Sequence, residues 1–239
     1  MTKPSKRFAT ATALVESLEL YSPTDAVELV KQGATAKFDE TVEAHIRLNV
    51  DVRQADQQVR GVALLPHGIG GTVRILVFAA GEGERLAREA GADHVGADEL
   101  IDQIEGGWAE FDVSLATPDM MTRITKLGRV LGRRGLMPNP RAGTVVEAQH
   151  LPNAIEEARK GRVEFRLDRT GIIHSRIGKS SFEPDQLQEN LGALMDAVTR
   201  ARPDTIRGVF IRSLSLSSTM GPGVRVNVAG ATELAGNVE

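Results

Sequence analysis

Gly81-Glu82-Gly83 follows an apolar run and opens a helical pattern, where a glycine-rich turn would cradle the pyrophosphate of a dinucleotide. Leu86 stands at the third glycine position, and Glu82 and Glu84 would set carboxylates beside the phosphates. That repulsion opposes the attraction of a helix N-terminus for anions, so the segment reads as a plain strand-to-helix turn. The five histidines, His45, His67, His94, His150 and His174, are far apart in sequence and form no pair at metal-ligand spacing. Each reads as a surface or hydrogen-bonded histidine. The absence of cysteine removes thiolate metal sites, disulfides and cysteine nucleophiles. No GxSxG or Walker-type loop is present, and nothing assembles a nucleophile, a base and an oxyanion site. The residues call for no catalytic group, no cofactor and no metal. The rival reading is a nucleotide-cofactor enzyme built on the middle of the chain.

Binding chemistry is better represented. Ser213, Ser215, Ser217 and Thr219 share one parity, so an extended chain would line up their hydroxyls on one face. They lead into Met220-Gly221-Pro222-Gly223, whose small residues let backbone approach a partner closely. Hydroxyls and amides can bond phosphates and ribose 2′-hydroxyls, and a methionine can lie against a base. Lys37-Phe38 pairs a cation with one of only nine aromatic residues, although Phe38 taken alone reads more readily as a core residue. The segment from Leu131 to Thr144 holds Arg133, Arg134 and Arg141, three glycines and Pro138-Asn139-Pro140, a stiff basic loop that could meet phosphate or brace a turn.

The elements that must position these residues fall into two styles. Ser22-Pro23-Thr24-Asp25 is a helix start, with Ser22 able to cap and Pro23 suited to the first helical position; that helix should stop at Gly33. Alternation of Val42, Ala44, Ile46, Leu48, Val50 and Val52 with polar neighbours predicts a strand over 42–52, buried on one face and wet on the other. From Val73 to Ala80 the run is nearly all apolar, as in a strand buried on both faces. Helices over 84–90, 98–105 and 118–131 then alternate with strands near 94–95 and 111–116, the pattern of βαβ units and a mostly parallel sheet. Two-faced alternation returns at 162–168. Leu187, Leu191, Leu194, Met195 and Val198 give a helix over 184–201 one buried stripe, and alternating strands around 207–217 and 224–228 complete the chain. The fold expected is an α+β domain made from both termini (residues 1–68 and 160–239; antiparallel sheet) with an inserted α/β, Rossmann-like domain at 69–159.

With 239 residues, 41% hydrophobic and 26% charged, the composition is that of a globular protein. The N-terminal stretch lacks the continuous apolar core of a secretory signal, and no segment approaches the ~20 apolar residues that span a bilayer, so a cytoplasmic protein without a membrane partner is expected. The net charge of −3 argues against strongly electrostatic nucleic-acid binding, yet Arg123 to Arg141 holds six basic residues and no acid, and Arg200 to Arg225 sets five arginines against Asp204 alone.

The segment GRRGLMPNPRAGTV at 132–145 closely resembles the signature of the large-subunit ribosomal protein one (L-one) family, bacterial type. So do KFDETVEAHIRL at 37–48, QQVRGVALLPHGIG at 57–70, EAGADHVGADELI at 89–101, FDVSLATPDMM at 111–121, GIIHSRIGKSSF at 171–182 and SSTMGPGVRVN at 217–227. The resemblance implies a two-domain protein, monomeric outside the ribosome, that binds the stalk of 23S ribosomal RNA beside the exit site. It also implies assistance in release of deacylated exit-site tRNA, and repression of its own operon through binding of that mRNA. It places RNA contact at Lys37, Phe38 and Thr41, at Arg166 and Asp168 on the central strand, and at Ser213, Thr219, Met220 and Gly221. Arg133, Arg134 and Arg141 become secondary RNA contacts or interdomain structure. The chain is less basic than many members, with a pI near 6.0.

Overall fold

The structure, a computed structural model, describes residues 5–16 and 18–235, and their side chains except those of Ala55, Arg141 and Ala235. Two compact units form, Met1–Gly70 with Gly161–Glu239, and Gly71–Lys160.

The first unit opens with α1 (Lys6–Ala13) and α2 (Pro23–Gly33). Ser22 caps α2, its hydroxyl accepting the Asp25 N–H, a contribution of about 1 kcal/mol. Strands β1 (Thr41–Leu48), β2 (Arg60–Leu64), β6 (Arg162–Arg166), β7 (Ile172–Lys179), β8 (Ile211–Ser218) and β9 (Val224–Val226) and helices α8 (Pro184–Arg200) and α9 (Val228–Ala235) complete it. Antiparallel pairing orders one sheet β7-β1-β8-β9, and β2 pairs with β6 in a separate two-stranded sheet. Val42, Ala44, Ile46 and Leu48 are buried with Leu187, Leu191, Leu194, Met195 and Val198 of α8, so one face of the larger sheet carries the core and the other faces solvent. Gly61 lies against the ring of Phe165 so closely that a Cβ there would sit 2.7 Å from Cζ. Gly161, at φ +107°, packs on Gly68, where a Cβ would sit 2.4 Å from the neighbouring Cα. Asn190, fully buried on α8, accepts the His67 N–H and donates to the Gly68 and Ile177 carbonyls, fastening the end of the first chain segment.

The second unit holds β3 (Ile75–Phe78), α3 (Glu82–Glu89), β4 (His94–Gly96), α4 (Asp98–Glu105), β5 (Val113–Ala116), α5 (Pro118–Ile124), α6 (Gly128–Arg134) and α7 (Leu151–Arg159). Its three strands are parallel in the order β4-β3-β5. Leu76 and Phe78 face one apolar cluster with α4, α5 and α6, and Ile75 and Val77 face another with α3 and α7.

Several expectations are corrected. The strand over 42–52 ends at Leu48, because Asn49 turns to donate its N–H to the Phe210 carbonyl and the Asp51 carboxylate accepts the Arg53 N–H. Val50 and Val52 still pack on the core, which is why the alternation continues past the ladder. The helix over 118–131 is two helices, divided by a one-turn 3-10 segment at Thr125–Leu127 where the Thr125 hydroxyl bonds back to the Met121 carbonyl. Residues 162–168 do not form a central strand: β6 belongs to the two-stranded sheet, Arg166 is its last residue and Asp168 lies beyond it. Helices α7 and α9 occupy stretches in which no helix was expected.

Candidate nucleic-acid interface

The chain leaves α2 at Gly33 and reaches β1 through a loop that exposes Lys37 and Phe38. Phe38 is 56% exposed, so the core alternative for it is wrong. Glu40 ends this loop and is buried, at 1% exposure. One carboxylate oxygen accepts the Ala36 N–H at 2.8 Å; the other accepts the Met220 N–H and the Ser218 hydroxyl, each at 2.8 Å. Burial pushes its pKa up, but these three donors outweigh burial and hold the carboxyl below its ordinary value. Asp39 accepts the Ser180 hydroxyl and both the N–H and hydroxyl of Ser181, and is likewise held low against the effect of burial.

Beside them, the Thr41 N–H donates to the Thr219 hydroxyl at 3.0 Å and the Thr219 N–H donates to the Thr41 carbonyl at 3.0 Å. Lys179 Nζ donates to the Thr41 hydroxyl at 2.9 Å. Gly221 closes the turn by donating to the Ser218 carbonyl, and a Cβ there would sit 2.5 Å from the Ser218 hydroxyl. Met220 stands out of this turn, 50% exposed. The fold therefore brings Lys37, Phe38, Thr41, Thr219, Met220 and Gly221 to one end of β1. Two large apolar side chains face solvent there, with the exposed Lys37 ammonium, which has no partner among the described residues; the Thr219, Met220 and Gly221 N–H groups are spent on Thr41, Glu40 and Ser218. Much of Thr219 is spent internally, so its hydroxyl is structural as well as available.

The other residues singled out from the sequence lie elsewhere. Ser213 pairs with Arg47 near the far end of β1, six residues on from Thr41, about 20 Å at the ordinary strand rise. Ser215 and Ser217 occupy the solvent face between, opposite His45 and Glu43. Asp168 also belongs to the far end: it accepts the Thr170 N–H and hydroxyl and the Ile172 N–H. Burial opposes ionisation, but these bonds and His174 lower its pKa to about 2, so its charge shapes the turn into β7. Arg166 pairs directly across its two-stranded sheet with Arg60, and neither guanidinium has a hydrogen bond or ion pair among the described residues. Like charges set opposite one another repel, so the pair would welcome an anion.

In the second unit, Arg133 and Arg134 end α6 and are exposed, without a hydrogen bond or ion pair among the described residues. The Arg141 side chain lies outside the described residues. The basic run loses part of its charge to α4: Arg123 pairs with Asp98 at 3.1 Å and Lys126 with Glu105 at 2.9 Å. Thr144 and Asn139 bond each other in both directions, so the Pro-Asn-Pro segment does brace a turn. At the glycine turn, Glu82 and Glu84 sit in the first turn of α3, paired with Arg85 and Arg88.

Sequence reasoning missed Glu40, Arg60 and a histidine pair. His45 and His174, 129 residues apart, place their Nδ1 atoms 2.8 Å from each other; His45 Nε2 lies 2.9 Å from the Ser217 hydroxyl, and His174 Nε2 lies 3.5 Å from Asp168. Only the register of β1 with β7 and β8 could reveal them. Among the described residues no group of three or more histidines and carboxylates could hold a metal ion, and no helix is long and apolar enough to cross a membrane.

Residues 30–222 match the Ribosomal protein L1p/L10e family. The chain is 52% identical over 236 residues to large ribosomal subunit protein uL1 of Dehalococcoides mccartyi, covering 99% of this chain and 100% of that protein. It is 55% identical over 234 residues to the protein of the same name from Thermomicrobium roseum, covering 98% and 97% of the two chains. The corresponding protein of Chloroflexus aurantiacus is 53% identical over 235 residues, covering 98% and 99%. Its relatives are ribosomal proteins, not cofactor enzymes, and this chain belongs to the ribosomal protein L1p/L10e family.

Proposed function

We propose that this protein is a structural constituent of the large ribosomal subunit that binds the stalk of 23S ribosomal RNA through the unit made from both chain ends. The observation that carries the reading is the exposed pair Phe38 and Met220, set beside Lys37 on two tightly bonded turns at one end of β1. Folded RNA is read by stacking on splayed bases and by contacts to phosphate and 2′-hydroxyl groups, and this end offers those chemistries together. Thr41, Thr219 and Gly221 supply backbone and hydroxyl contacts, and Ser213 extends the surface along the open sheet face. Arg166, with Arg60, takes a phosphate, while Asp168 shapes the turn beside them. Arg133, Arg134 and Arg141 make secondary contacts from the inserted unit. Assistance in release of exit-site tRNA, and repression of the protein's own operon through its mRNA, are the further roles that the family resemblance suggests. The protein acts in the cytoplasm, monomeric until it joins the ribosome.

The test is binding of a 23S stalk fragment by the full chain and by Phe38→Ala. A stacked base is worth about 1–3 kcal/mol, so the variant should bind roughly 10- to 100-fold more weakly with an unchanged melting transition. Unchanged affinity would remove this end of the sheet from the RNA surface.

A further inference from the structure

We propose that Glu40 is a positioning residue for RNA binding, whose buried carboxylate locks the Lys37-Phe38 loop to the Met220-Gly221 turn so that Phe38 and Met220 meet RNA as one preformed surface. The inference rests on the function proposed above. Its basis is the connectivity of a single side chain. One oxygen of Glu40 holds the loop through the Ala36 N–H; the other holds the turn through the Met220 N–H and the Ser218 hydroxyl, across 180 and 178 residues of sequence. Met220 is thus fixed at its own backbone nitrogen, and Phe38 lies between the two loop residues, Ala36 and Glu40, that make the other half of the link. No lysine or arginine hydrogen-bonds to this carboxylate among the described residues; its charge is held by these three donors, with the Arg7 charge adding to them at longer range.

A carboxylate suits this task because both oxygens only accept, and all three neighbours only need an acceptor. Glutamine has the same shape but one accepting oxygen; its amide nitrogen would confront an N–H on one side of the link. One of the two segments must then come loose while the other stays bound. A surface held rigid before binding does not spend affinity on ordering itself, and losing the link returns that cost at binding. Gly221 fits the same design: a side chain there would meet the Ser218 hydroxyl that completes the Glu40 network.

The experiment measures affinity of the full chain for a 23S stalk fragment, with melting of each variant recorded. Glu40→Gln should melt cooperatively and bind about ten-fold or more weakly. In a background already lacking both contacts, Phe38→Ala with Met220→Ala, it should add less than about two-fold, because Glu40 acts through those two side chains; a merely stabilising residue would give fully multiplying losses. Binding by Glu40→Gln within about two-fold of the parent, or full multiplication, overturns the proposal. If Glu40→Gln does not fold, Ser218→Ala removes one donor and leaves both backbone bonds to Glu40. It should weaken binding about two- to five-fold, again without multiplying in the background lacking both contacts, and unchanged affinity overturns the proposal. Met220→Ala alone reports on the underlying reading: normal binding by that variant sinks the RNA surface and the inference with it, whereas weak binding by Met220→Ala with normal binding by Glu40→Gln sinks only the inference.

Discussion

The unit made from both chain ends leaves one face of its four-stranded sheet open, whereas the sheet of the inserted unit has apolar clusters on both faces. In β1 buried side chains alternate with accessible ones, and His45, Arg47, His174, Ser215 and Ser217 sit on the accessible side. In β3 all four residues are buried. The difference follows from pairing: an antiparallel sheet can keep one side wet, while parallel strands joined by helices are covered twice. It teaches where each unit can meet RNA. The first offers a broad surface of hydroxyl, imidazole and guanidinium groups bordered by Phe38 and Met220. The second can offer only helix ends and loops, such as Arg133 and Arg134, and part of its basic run is neutralised by α4.

The comparison is sharpened by one arginine from each unit. Arg166→Ala should weaken binding of a 23S stalk fragment about five- to ten-fold and reduce the slope of log affinity against log salt by roughly 0.7–0.9, the share of one phosphate. Relief of repulsion with Arg60 should leave stability equal or a few tenths of a kcal/mol higher. Arg133→Ala should change affinity less than about two-fold, and the parent slope should be shallow, about −2 to −4. Salt titrations by filter binding check all of this; the reverse ranking of the two arginines would break the comparison.

A smaller effect concerns pH. Burial, and then repulsion by His174, lower the pKa of His45 below 6.5. The folded state therefore resists protonation more than the unfolded chain does. This contribution to stability is complete above pH 6.5 and is lost as pH falls through the depressed value. Asp168 keeps its charge to about pH 2 and adds nothing to this window. Melting should consequently move to lower temperature between pH 7 and pH 5, and His174→Asn should shrink that movement. A shift of equal size in the variant would detach it from the histidine pair.

How far the sequence could be read depended on whether the signal was local. Helix α2 was legible from Ser22-Pro23 to Gly33, and α8 from its leucine stripe, because caps and stripes lie within one element. Strand β6 was legible from its alternation, but its place as a central strand came only from the family resemblance, and alternation, the same in a two-stranded and a four-stranded sheet, could not name its partner. Helix α9 was hidden because Val-Ala-Gly-Ala-Thr-Glu-Leu-Ala has no clear apolar stripe. At the site, the serine parity at 213, 215 and 217 predicted a shared face, and that face exists. Glu40 and the histidine pair were beyond reach, since they depend on register and on segments more than a hundred residues apart.

The central claim, that the unit made from both chain ends carries the main RNA surface, is tested most directly by replacing residues 71–160 with a short glycine-serine bridge from Gly70 to Gly161. Gly161 already packs against Gly68, so a short bridge should close without strain. Lys37, Phe38, Glu40, Arg166, Ser213 and Thr219 to Gly221 all remain. The account predicts a cooperatively melting protein whose affinity for the 23S stalk fragment lies within about three-fold of the full chain, since only the secondary contacts have gone. A soluble, cooperatively melting product that fails to bind the fragment would contradict it.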